Sequence, residues 1–116
     1  MEESILTSIK KLLGISSNDT SFDTDITIHI NSVFMILRQM GVGPILEPFS
    51  IKDSTSTWEE YLEDRNDLES VKTYIYLKVK MVFDPPVNSS IIEAYNNLIH
   101  EYEWRLNSQV DYNDES

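Results

Sequence analysis

His29 and His100 are the only imidazoles in this 116-residue chain, and there is no cysteine. A thiolate nucleophile, a disulfide and a thiolate metal site are therefore excluded. His100 stands beside Glu93, Glu101 and Glu103, a set that could exchange protons. Carboxylates along one helix are ordinarily a solvated face, however. His29 lies at helical spacing from Val33, Ile36 and Met40, as expected for a hydrogen-bonded core residue rather than a metal ligand. No His-Glu-x-x-His pair, EF-hand loop or Walker lysine pattern is present. The "GVGP" of residues 41–44 looks like a phosphate cradle, but it lacks a following helix N-terminus and a nearby lysine. Asp53 to Glu69 carries seven acids, which could hold a cation loosely and which solvation explains equally well. No catalytic constellation, metal site or cofactor site emerges. An enzyme would need a concave site with convergent, perturbed groups, and is the weakest reading.

The elements that would position any site read as helices. Ile5, Ile9, Leu12 and Leu13 share a face of a first helix over residues 3–14, with Gly14 as its stop. Asp23 or Thr24 can cap a second helix, with Asp25 in its first turn. Ile26, Ile30, Val33, Phe34, Leu37 and Met40 form its apolar face, and Gly41 ends it. Thr57 and Glu60 are spaced as a capping box for a short third helix bearing Trp58, Tyr61 and Leu62. A fourth helix runs over residues 67–83 and stops at Asp84-Pro85-Pro86, because a residue before proline leaves the α region and proline has no donor. Ser90 and Glu93 suggest a second capping box, starting a fifth helix over residues 91–107. The fold class expected is all-α, a compact bundle of about five helices with a long Gly/Pro-containing loop between helices two and three. It comprises one helical domain over 1–107 and a flexible, acidic C-terminal tail over 108–116.

Two helices and the loop carry more than a bundle needs. At about 100° per residue, the fourth helix puts Leu68, Val71, Ile75, Val79, Val82 and Phe83 on one side. Tyr74, Leu77 and Met81 widen the apolar arc past half the circumference, and Lys78 falls inside it. Such a helix is either central to its own domain or shared with a partner. On the fifth helix Trp104 lies opposite the apolar stripe, where an aromatic anchors interfaces. Loops as long as residues 41–56 are uncommon in compact domains. Ile45, Leu46, Phe49 and Ile51 in it can either reach an adjacent subunit or fold over their own core. The candidate interface set is thus Ile45, Leu46, Phe49, Ile51, Tyr74, Leu77, Lys78, Met81 and Trp104.

Composition narrows the function further. Hydrophobic residues make up 41% of the chain and aromatics 10%, too much for intrinsic disorder. The N-terminus lacks a signal-peptide pattern, and no apolar run approaches the ~18 residues of a membrane span. The chain reads as soluble and made in the cytoplasm. Its net charge of −11 opposes binding to nucleic-acid phosphates.

Three stretches, "IHINSVFMILRQMGVGP", "LESVKTYIYLKVKMVFDPP" and "EYEWRLN", resemble the small head–tail connector (adaptor, or head-completion) proteins of tailed bacteriophages and prophages of Gram-positive hosts. The resemblance extends from the first helix to about Asn107. It implies a structural virion subunit at the head–tail junction, assembled in the bacterial cytoplasm. It further implies a homo-oligomeric ring of about a dozen copies below the portal protein and above a further head-completion or tail protein, with DNA passing through and not specifically bound. The competing reading is an acidic inhibitor that mimics DNA, or another small protein-binding module. The concentration of acids in residues 53–69 and in the tail is a poor match to an even array of phosphates.

Overall fold

A computed structural model describes residues 4–42, 49–61 and 68–115, with Leu68 and residues 109–115 described by backbone alone. It contains α1 (Ile5–Leu13), α2 (Asp23–Gln39), α3 (Trp58–Tyr61), α4 (Leu68–Phe83) and α5 (Ser89–Glu115). Among the described residues there is no strand, only one isolated bridge between Ser4 and Thr57. The all-α expectation and the long connection between the second and third helices are both met. Ile45 and Leu46 lie outside the described residues, as does Leu62.

Local chemistry sets most boundaries. The Ser4 side chain caps α1 by accepting from the Thr7 N–H at 3.2 Å. At its other end Gly14 takes φ +83°, the Gly14 N–H donates to the Lys11 carbonyl and the Ile15 N–H to the Lys10 carbonyl, which is a Schellman stop. α2 ends the same way: Gly41 is at φ +87°, with Gly41 donating to Arg38 and Val42 to Leu37. Val42 and Leu37 are both buried, the hydrophobic contact that accompanies this motif. The Thr57–Glu60 capping box forms reciprocally, Thr57 N–H to Glu60 Oε1 at 3.0 Å and Glu60 N–H to Thr57 Oγ1 at 3.4 Å.

Other boundaries differ from the sequence expectation. α2 has no side-chain cap; Phe22 precedes it, and Asp23 is already its first helical residue. α5 is capped by Asn88, whose Oδ1 accepts from the Ser90 and Ile91 N–H groups at 2.8 and 3.3 Å. Asparagine is a strong N-cap, so Ser90 falls within the first turn rather than before it. The same helix does not end at Asn107 but runs on to Glu115.

α4 occupies the middle, touching α1 and α2 on one side and α5 on the other. The backbone measures 44 × 36 × 22 Å along its principal axes. Val71, Tyr74, Ile75, Leu77 and Val79 of α4 are all buried, against Ile5 and Ile9 of α1 and Ile26, Ile30, Phe34 and Leu37 of α2 in one core. Centrality in its own chain therefore accounts for most of the apolar arc of α4, while Val82, 61% exposed, is left in solvent.

Candidate protein interfaces

The residues singled out from the sequence separate into core and surface. Ile51 is buried, and its backbone is held on both sides by Asn31 of α2: the Ile51 N–H donates to Asn31 Oδ1 at 2.8 Å, and Asn31 Nδ2 donates to the Ile51 carbonyl at 2.9 Å. The side-chain amide stands in for a neighbouring strand. Phe49 is half-buried, its ring centroid 5.0 Å from those of both Phe34 and Tyr61. The return of the long loop, from Phe49 onward, is thus fastened to the chain's own core. Tyr74 and Leu77 are buried, whereas Lys78 and Met81 are half-buried. Trp104 is 69% exposed on the outer side of α5.

α5 is fixed to α4 by polar contacts as well as apolar ones. Tyr74 donates its hydroxyl to Glu103 Oε2 at 2.8 Å, and Glu103 Oε1 lies 3.4 Å from His100 Nδ1. Burial, then the hydrogen bond to Glu103 and that carboxylate's charge, push the Tyr74 phenol well above its ordinary pKa of 10.0. Burial and the neighbouring Tyr95 likewise raise that of Tyr76. The acid–imidazole set expected around His100 is therefore partly structural, with Glu103 committed to Tyr74. Arg105 pairs with Glu101 at 2.6 Å.

Three of the acids of residues 53–69 make local contacts. Asp53 accepts from the Thr55 hydroxyl and N–H, bonds that hold its carboxyl below the usual value of 3.8. Glu60 closes the capping box, and Glu69 sits in the first turn of α4, 3.7 Å from Lys72. Among the described residues no group of three or more His, Asp or Glu side chains could hold a metal.

Two open grooves went unforeseen. One, at the C-terminal end of α4, has a floor of Leu13, Ile15 and Phe83, a rim of Phe22 and Val82, and Asp25, His29 and Asp84 around it. His29 is thus half-buried in a groove wall it shares with Val82 and Phe83 of α4, not the core position expected for it. Phe22 and Phe83 meet edge to face at 5.4 Å. The other groove, at the opposite end of α4, is bordered by Lys11, Leu12, Trp58, Glu69, Lys72 and Thr73. Leu12, assigned to the core face of α1, is 52% exposed there. Two residues earlier, Lys10 is buried, with its ammonium 2.8 Å from Asp23 Oδ1. Periodicity missed both because each depends on which elements happen to meet.

Among the described residues, large apolar side chains stand exposed on α1, α2, α4 and α5. The chain's sequence matches the family described as phage connector protein over residues 5–113, a span reaching from the first residue of α1 almost to the end of α5. The chain belongs to that family, and is accordingly a structural phage protein with a head–tail connector role, in a family that is not one of enzymes. No curated protein and no solved structure matches it.

Proposed function

We propose that this chain is the repeating subunit of a closed ring seated between the portal protein of a phage head and the next head-completion or tail protein, so that the ring prolongs the channel through which DNA leaves the head. The family match along residues 5–113 is the observation that carries this reading. Supporting it, Ile28 and Met35 of α2, Val82 of α4 and Trp104 of α5 are each more than half exposed, and a ring subunit needs several distinct contact faces at once. A contact between two different faces of identical copies closes into a ring when its rotation divides a full turn. The charge of −11 per chain suits a conduit, since carboxylates facing the lumen would repel phosphates instead of arresting them.

The deciding experiment is native mass by light scattering on a sizing column, run alone and with a portal protein encoded by the same genome. A closed oligomer of about a dozen copies, alone or on the portal, is the expected outcome. A monomer that neither assembles nor co-migrates with the portal overturns the proposal.

A further inference from the structure

Two exposed ridges share a pattern. On α2, Ile28 and Met35 are 56% and 63% exposed, with exposed Ser32 between them. At about 100° per residue they lie opposite the buried Ile26, Ile30, Val33 and Leu37. On α5, Ile91 and Leu98 are 45% and 40% exposed, with exposed Ala94 between them. Each ridge thus sets two bulky apolar residues two helical turns apart around one small residue. The Ser32 hydroxyl donates to the Ile28 carbonyl at 3.0 Å, so covering it strands no donor. No charged residue falls on either ridge, in a chain that is 25% charged with a net charge of −11.

The two helices also run the same way. α2 starts where α4 ends, with Phe22 against Phe83 at 5.4 Å, and α5 turns back along α4 so that Glu103 meets Tyr74. Both are therefore antiparallel to α4, which lies between them and keeps the two ridges of one copy apart.

We infer that these ridges are the two halves of one contact between copies of this chain, the Ile28–Met35 ridge of one copy packing in parallel along the Ile91–Leu98 ridge of the next. The inference rests on the ring reading and specifies its lateral faces. Copies this acidic repel one another, so they approach most closely along lines without charge, and depletion of charge marks the centre of protein interfaces. A seven-residue spacing is the seam of helices packed side by side at about 20°. In a ring of about a dozen copies each is turned about 30° from the last, which keeps α5 of one nearly parallel to α2 of the next. The contact joins unlike faces, so every pair leaves a free ridge at each end and propagates until it closes. Each ridge exposes no more than a few hundred Å² of apolar surface, short of the ~800 Å² per partner of a standard interface. An isolated pair is accordingly weak, and closure of the ring stabilises it.

Because the chain contains no cysteine, introduced thiols report the contact cleanly. The double variant Ser32→Cys/Ala94→Cys is treated at high protein concentration with a short bis-maleimide, which spans the roughly 8–10 Å between packed helices. It is expected to give a ladder of covalent multimers on denaturing gels. A mixture of the two single variants gives dimers and nothing larger, and either single variant alone gives none. Ser32→Glu and Ala94→Lys are each expected to weaken association about tenfold, and their combination in one chain to restore it. Asn96→Glu, exposed on the other side of α5, leaves it unchanged. Circular dichroism checks that each variant keeps its helices. Dimers from a single-cysteine variant alone would reveal a symmetric contact and overturn the inference. A protein that assembles alone or on its portal, yet yields no ladder and ignores the charges placed on the ridges, overturns the inference while the ring reading stands. A protein that assembles under neither condition overturns both.

Discussion

Lys10 and Asp23 show how much one pair can decide. The ammonium is buried, 2.8 Å from Asp23 Oδ1 and 3.4 Å from the Ser17 carbonyl, and it joins the end of α1 to the start of α2. Removing one partner leaves the other charge without compensation, which costs more than the pair itself contributes. Asp23→Ala is expected to lower unfolding free energy by about 2–4 kcal/mol, and Lys10→Met/Asp23→Ala to recover most of that loss; urea denaturation of the four proteins in the cycle measures both. Asn31→Ala removes both bonds to the Ile51 backbone and strands a buried N–H and carbonyl, at about 2–3 kcal/mol, read by the same titration. Tyr74 gives the pH dependence. Its pKa is raised by folding, so the folded state holds the proton more tightly than the unfolded chain, and the associated stability is whole below the ordinary 10.0 and lost as pH rises above it. The urea midpoint is expected to fall between about pH 9 and pH 11, and less steeply in Tyr74→Phe. Tyr76, shifted in the same direction, keeps part of the slope in that variant.

At the scale of elements, α5 stands apart from the rest. It is the longest helix, at 27 residues, and α4 is its principal neighbour; Ile99 and Leu106 are buried while Ile91, Leu98 and Trp104 remain exposed. A surface indole stabilises a monomer little, so Trp104→Ala is expected to change the thermal midpoint by under about 2 °C while weakening assembly or portal binding. A large fall in melting temperature with unchanged assembly would assign Trp104 to the fold instead. The helix ends obey local rules that can be tested one at a time. A Cβ on Gly14 would meet nothing within 4 Å, so Gly14→Ala isolates the conformational cost of φ +83°, about 1 kcal/mol, by thermal or urea denaturation.

For the molecule as a whole, charge and shape carry the argument. The molecule is 22 Å across its thinnest dimension, with α4 in the middle and exposed apolar side chains at the C-terminal end of α4 and along α5. Its net charge of −11 predicts that assembled protein fails to retard duplex DNA in a mobility-shift assay at about 150 mM salt, since affinity for DNA requires clustered cations to displace counterions. Retardation under those conditions would contradict a channel lined to let DNA slide.

The sequence by itself determined the helical class, the stops at Gly14 and Gly41, the Thr57–Glu60 capping box and the break at Asp84-Pro85-Pro86. Each is decided within one turn of backbone, so nearest-neighbour chemistry is enough. It left open whether the broad arc of α4 faced its own chain, where Ile51 and Phe49 would land, and that Leu12 and Phe22 would stand in solvent. Only the tertiary structure decided these. Helical periodicity says which side chains share a face, but not which face meets another element; Asn31 reaching Ile51, Lys10 reaching Asp23, and two open grooves along α4 exist only once separate segments have packed.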